Sequence, residues 1–425
     1  MSSVNLEPSL VLLNGGMAAE ESDNDAPRRR GRPRTNSSDL AQQLLDDVDQ
    51  LDDSGISPRT NTLTRRIEYC DPITGEEKTF GGNDNLILPV KLAAATGNTL
   101  NEGRFRQAFN YISERDSYAP HQEFLLQCSE EAEPCPFFDH LGKRYFNTDS
   151  EFLNRMLRKF FIGCVARAFE PGCSFSWMLV LCARQGVGKS AWVRNLVPHG
   201  LFAEITASLD TLNKETYRLH TAWLLELPEL EQFFASKQHE ILKNLISVRF
   251  DEVRLPYQLP TQMPRGFGMV GTANSKDILV DCTGNRRFVP IDVGSFQIPW
   301  RALEEERAGI WSAALNAYRA GEPWELSPQE LAELREYQSD FELRDPWHDI
   351  ITTATMGKDE LRMEHLLTTV LSIPTERQHS GHRKRVGGIL RSLDFESTTR
   401  KVEGKSTRIW KRRAMHVSEF SKTDF

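Results

Sequence analysis

Ala183-Arg184-Gln185-Gly186-Val187-Gly188-Lys189-Ser190 follows an apolar run, Trp177-Met178-Leu179-Val180-Leu181-Cys182, and precedes a segment, Ala191 to Leu196, that reads as helix. Strand, glycine-rich loop and helix in that order are what a phosphate-binding P-loop requires. Glycines let backbone N–H groups turn inward around an anion, and the start of the helix adds the positive end of its dipole. In this reading Gln185, Gly186, Val187, Gly188, Lys189 and Ser190 cradle a nucleotide. Lys189 reaches the β- and γ-phosphates, and the Ser190 hydroxyl completes the shell of a Mg²⁺ ion. The consensus opens with Gly, whereas Ala183 stands first here, which fits wherever the local φ is negative. The competing reading is an ordinary strand-to-helix turn. The flanking strand and helix decide for nucleotide binding.

A P-loop alone gives binding; hydrolysis needs acids, a polar sensor and a trigger. Thr221 to Glu229 (Thr-Ala-Trp-Leu-Leu-Glu-Leu-Pro-Glu) is an apolar strand ending in two carboxylates. One acid at the end of the strand beside the P-loop can hold the Mg²⁺ shell, and a second can polarise the attacking water. Glu226 follows the strand directly and is the metal-shell candidate; Glu229 is the candidate general base, and the roles are interchangeable on sequence alone. Gly268 to Asn274 is a further strand with a polar end, where Asn274, assisted by Thr272, can hydrogen-bond the γ-phosphate or the lytic water. Asn also favours plain turns. Arg286 and Arg287 follow a Gly-Asn turn. One of them is expected to reach across a subunit boundary as an arginine finger, the other to form an internal ion pair with Asp251 or Asp281.

A chain of 425 residues has room for two or three domains. No apolar run approaches the ~20 residues of a membrane span, and no signal peptide is apparent. Seven cysteines without paired spacing support neither a zinc site nor a disulfide framework and suit a reducing cytoplasm. The net charge of −8 hides an asymmetry: Arg377 to Arg413 carries twelve Lys and Arg against three acids. A basic end on an acidic chain points to a polyanionic partner.

Residues 1–85 read as a disordered tail. Within it, Arg28 to Arg34 (Arg-Arg-Arg-Gly-Arg-Pro-Arg) resembles an AT-hook, with Arg30 and Arg32 suited to a narrow minor groove; a merely solvated basic run is the alternative. Residues 86–170 form a helical leader, 171–299 an α/β core with a parallel sheet, and 300–345 a helical lid. Residues 346–425 read as two helices (Met363–Val370 and Lys384–Leu393) and a β-hairpin, a winged-helix-like module. Its second helix opens with Arg383, Lys384 and Arg385, candidate DNA contacts, against the alternative of an oligomerisation cap with solvated charges.

Gln185 to Ser190, Glu226 to Leu230, Asp251 to Tyr257, Pro264-Arg265, Gly271 to Asn274 and Thr283 to Phe288 occur in this order. Together they resemble the virulence-associated E family, P-loop ATPases of phages and mobile elements related to superfamily-3 replicative helicases. The resemblance covers about residues 100–345. It implies an AAA+/superfamily-3-like fold that uses ATP and Mg²⁺. It further implies an ATP-dependent, DNA-translocating motor or helicase acting in replication as a homo-oligomeric ring, of which a hexamer is one form. Lys189, Ser190, Glu226, Glu229 and Asn274 would form one site, with Arg286 or Arg287 serving the neighbour's. Lys243 and Arg249 fall where related rings contact DNA, and Arg254 and Arg265 match family positions. The alternative is an ATP-assembled, DNA-binding replication initiator or regulator with little turnover, a reading to which Ala183 lends weight.

Overall fold

The computed structural model describes residues 37–97, 99–234, 237–253, 260–279, 285–342, 346–402 and 405–412. Arg30 and Arg32 lie outside them, as do Arg254 and Asp281. The chain divides into two units, Met1–Arg59 with Glu68–Asp116 and Thr60–Ile67 with Ser117–Phe425.

The elements up to residue 116 are α1 (Ser37–Asp53), β1 (Arg59–Asn61), β2 (Arg66–Cys70), β3 (Glu77–Thr79), α2 (Asp84–Thr96) and α3 (Glu102–Arg115). They correct the expectation of a disordered tail to residue 85. Helices α1, α2 and α3 pack together in the first unit and bury Val48, Leu51, Leu88, Leu92, Phe105 and Phe109. Acids that burial would penalise are paired: Asp47 with Arg104, and Asp71 with Lys78 and Lys91 at 2.9 and 2.6 Å. A polar-looking stretch thus orders around a few shared apolar residues, while Leu40, Leu45, Leu86, Ile87 and Val90 stay exposed.

In the second unit α4 (Pro120–Glu131), α5 (Leu141–Phe146) and α6 (Glu151–Phe169) lead into β4 (Met178–Ala183). Then come α7 (Lys189–Asn195), β5 (Phe202–Glu204), α8 (Leu209–Lys214), β6 (Leu224–Leu227) and α9 (Lys237–Ser247). The hairpin β7 (Phe250–Val253) and β8 (Thr261–Pro264) precedes β9 (Gly268–Ala273), β10 (Phe288–Gly294), α10 (Leu303–Arg319) and α11 (Pro328–Gln338). Five strands make a parallel sheet in the order β10-β4-β9-β6-β5. Every residue of β4 and β9 is buried, as a sheet covered on both faces demands. Alternation splits β4 between the two covering layers. Leu179, Leu181 and Ala183 join Phe160, Phe161 and Trp311 on one side; Met178, Val180 and Cys182 join Leu225, Leu242 and Phe288 on the other. Each fully buried Leu or Phe there contributes about 1.5–3 kcal/mol.

Two expectations change here. The strand bearing Glu226 is not beside the P-loop strand: β9 occupies that place and β6 lies one strand further out. The chain fills this half of the sheet from the edge inward, β5 then β6 then β9, so the last of the three meets β4. Residues 300–345 do not form a lid. Helix α10 packs on α4 and α6 and buries Trp311 completely, because its apolar residues face the sheet's covering layer.

The C-terminal part runs α12 (Pro346–Thr355), β11 (Glu360–Arg362), α13 (Met363–His365, continuing as a wider turn over Leu366–Val370), α14 (Ser380–Ser392), β12 (Phe395–Val402) and β13 (Lys405–Arg412). The three strands form an antiparallel sheet, β11-β13-β12. Val386, Ile389 and Leu390, at helical spacing, seat α14 against Leu361, Leu366, Phe395 and Trp410. The expected helices and hairpin are present; α12 and β11 were not foreseen. No helix among the described residues is long and apolar enough to cross a membrane.

Candidate nucleotide site

The P-loop leaves the carboxyl end of β4, where an open parallel sheet receives its ligands. Ala183 is the last residue of that strand, so its backbone is extended and the departure from Gly carries no strain. Gly186 and Gly188 have φ of 87° and 95°, in the region that favours glycine. A Cβ on Gly188 would also lie 2.9 Å from Trp300 Cδ1. The Ile298 N–H donates to Val187 O at 2.9 Å, so Ile298 and Trp300 brace the loop from outside.

Lys189 is buried, and its Nζ donates to Ala183 O at 2.5 Å, Arg184 O at 3.1 Å and Asn274 Oδ1 at 3.4 Å. Burial pushes its pKa down, against the pull of nearby Glu231 and Glu226. Glu226 is fully buried; its Oε1 accepts from Ser190 Oγ at 2.5 Å and Thr272 Oγ1 at 2.9 Å. Its Oε2 has no hydrogen-bond partner among the described residues. Burial raises this carboxyl's pKa, against those two hydrogen bonds. A buried carboxylate oxygen left unpaired is costly, and a cation resolves it. Carboxylate and hydroxyl oxygens are the hard donors that Mg²⁺ takes, so Ser190 and Glu226 fit the ion.

Glu229 is exposed, accepts from Gln232 Nε2, and has a φ of 50°, a left-handed backbone that costs a non-glycine residue about 1–3 kcal/mol. That geometry turns it towards a 310 Å³ cavity shared with Gln185, Gly186, Gly188, Lys189, Ser190, Thr272 and Asn274. Thus three separate stretches of sequence converge at one edge of the sheet. Glu231 completes them and is absent from the sequence reading. Its Oε1 accepts the Asn274 N–H at 3.2 Å, and its Oε2 is buried without a hydrogen-bond partner among the described residues. Its only signal is a third acid in Glu226-Leu-Pro-Glu-Leu-Glu231, which strand periodicity does not single out.

Arg286 and Arg287 are not part of this cavity. They occupy a turn, Asn285–Arg287, at the start of β10, where Phe288 pairs with Met178, the first residue of β4. They therefore lie at the amino edge of the sheet, opposite the P-loop. Arg286 is exposed, while Arg287 Nε donates to Ser247 Oγ at 2.5 Å. The expected ion pair with Asp251 is corrected: Asp251 takes Arg265 through two hydrogen bonds of 2.7 Å and His220 Nε2 at 3.0 Å. All three are buried, and the two partners outweigh desolvation to hold the Asp251 carboxyl below its ordinary pKa.

The two expected strand contacts are placed differently, Lys243 inside and Arg249 exposed. Lys243 is buried against Glu240 at 3.0 Å, and Arg249 Nε donates to Gly172 O at 2.6 Å. In the C-terminal part the basic run splits. Arg383 and Lys384 are exposed along a groove, whereas Arg385 lies 4.0 Å above the Trp347 ring.

The parallel sheet and glycine-rich loop, with an acid two strands over, define an α/β P-loop NTPase fold. Residues 129–343 match the virulence-associated protein E-like domain, half of the chain, and the chain belongs to this family. Among solved structures, the apo C-terminal region of NrS-1 (residues 305–718 of that protein) is similar at 12% identity and a TM-score of 0.51, covering 87% of this chain and 99% of that one. An A-form apo structure of the same region is 12% identical over 85% of this chain and 98% of that one, with a TM-score of 0.47. No curated protein matches the chain.

Proposed function

We propose that this protein is an ATP-dependent DNA motor of a phage or mobile-element replication system, built as a ring of identical subunits. The observation that carries the reading is the convergence of Lys189, Ser190, Glu229 and Asn274 around one 310 Å³ cavity at the carboxyl edge, with Glu226 buried behind it on Ser190. The backbone amides of Gly186 to Ser190, with Lys189, would hold the phosphates of ATP; Ser190 and Glu226 would hold Mg²⁺. When bound, that ion neutralises charge on the phosphate oxygens.

Glu229, at the cavity mouth, orients water and accepts its proton. Asn274, hydrogen-bonded to Lys189, fixes the far side of the γ-phosphate position. The arginine comes from a neighbouring subunit, since this chain's own pair is at the opposite edge. Arg286 is the exposed member and reaches out; Arg287, anchored on Ser247, sets the turn that presents it. An incoming positive charge of this kind is worth about 10³–10⁵ in rate.

ATPase assays with and without single-stranded DNA test the reading, with the wild type beside Lys189→Ala and Glu229→Gln. Turnover stimulated by DNA and abolished by both substitutions is expected. ATP-dependent assembly on duplex DNA without turnover would overturn it in favour of an ATP-assembled initiator.

A further inference from the structure

We infer that the C-terminal part grips duplex DNA by its phosphates, in a groove whose walls carry Arg362, Arg383, Lys384 and Arg391. The inference rests on the reading of the chain as DNA-acting, and adds to it a surface and a strandedness.

Helix α14 buries Val386, Ile389 and Leu390, so the residues between them are left to form a second face. Arg383, Lys384, Gly387 and Arg391, at i, i+1, i+4 and i+8, share that face. Gly387 is the close approach that makes it a groove. A Cβ there would stand 3.2 Å from Trp410 Cζ2, so glycine lets the helix settle on the indole, which becomes part of the floor. The Arg391 guanidinium lies 5.8 Å from the same ring. Arg362, at the end of β11, joins the lining, and the groove encloses 610 Å³.

Charge decides the class of occupant. Among the described residues, four cations line the groove against one carboxylate, Glu364. None of the four has an ion-pair partner among the described residues. A solvated surface normally intersperses its signs, and an unpaired row of one sign is an anion site. From Arg383 to Arg391 the helix rises about 12 Å. Along the duplex axis each strand presents a phosphate about every 3.4 Å, so a row laid along that axis spans roughly three or four.

Strandedness follows from what the groove lacks. Proteins that hold single strands stack bases on exposed aromatic rings. Among the described residues of this lining the aromatic one is Trp410, which is only 4% exposed and serves as packing. Arginine and lysine without a stacking platform read a backbone, not unpaired bases. Arg385 is excluded from the grip by its seat on Trp347.

The test is fluorescence anisotropy on the full chain without nucleotide, carrying Arg30→Ala and Arg32→Ala so that the N-terminal run does not bind. A labelled duplex of about two helical turns is compared with its single strand across a salt series. The duplex is expected to bind more tightly. Arg362→Ala with Arg391→Ala should flatten the slope of log K against log salt by about 2, roughly 0.9 for each lost phosphate contact. Arg362→Lys with Arg391→Lys should restore it, and Arg385→Ala should leave it unchanged. An unaltered slope in the double alanine variant overturns the groove; tighter binding to the single strand overturns the strandedness. Repeating the titration on Lys189→Ala separates this outcome from the ATPase reading, because the grip needs no nucleotide.

Discussion

Two buried carboxylates, one on the β7-β8 hairpin and one at the carboxyl edge of the parallel sheet, are treated in opposite ways. Asp251, on the hairpin strand β7, has both oxygens engaged by Arg265 and His220. Glu226, at the carboxyl edge, is buried as deeply, yet one oxygen has no hydrogen-bond partner among the described residues. The first arrangement is complete within the chain and holds the fold. The second is complete only with something added, which is how a structural acid is told from a functional one when both look alike by burial. Backbone follows the same division: the carboxyl edge carries the left-handed Glu229, a strain that persists where function requires it.

Breaking each edge in turn should separate the roles. The largest effect is expected from Arg286→Ala, which should lower ATP turnover by about 10³–10⁵ while nucleotide affinity per chain stays unchanged. Turnover within tenfold of the wild type would deprive the amino edge of any catalytic part. Next, Asp251→Ala should cost about 3–5 kcal/mol in denaturant unfolding, because Arg265 would remain as an uncompensated buried charge. A loss under 1 kcal/mol would show that solvent reaches the pair. Third, burial pushes His121 down to about 4 from its ordinary 6.5, so it is neutral in the fold and protonates first in the unfolded chain. Stability should therefore fall as pH drops from about 6.5 to about 4, by up to about 3 kcal/mol, and His121→Leu should flatten that stretch of the profile. The smallest effect on stability is that of Glu226→Gln, no more than about 1 kcal/mol, although turnover is abolished. If it cost as much as Asp251→Ala, the contrast between the two acids would collapse.

The carboxyl-edge site was legible in sequence because its members sit at strand ends, where an apolar run stops at a polar residue: Lys189 and Ser190 after β4, Glu226 at the end of β6, Asn274 after β9. The order of those strands was not. Nothing local in Thr221 to Glu229 records that β9 will come between it and the P-loop, since that follows from where the chain has already been. The first helical unit escaped for a different reason. Its apolar residues are sparse, and its polar ones, such as Asp47 and Asp71, look solvated until distant Arg104 and Lys91 are brought to them. Arg385 shows the same limit at short range: three adjacent cations look equivalent until one finds Trp347.

Trp300, described above only as a brace, also gives the site a voice. Its ring sits against Gly188, itself in the cavity lining, and under the Arg301 guanidinium at 4.3 Å. A loop that closes on phosphates must move against this indole, so intrinsic fluorescence reports occupancy without any label. Subtracting the Trp300→Phe spectrum isolates that signal, and makes each step of the cycle observable by stopped flow in the unmodified protein.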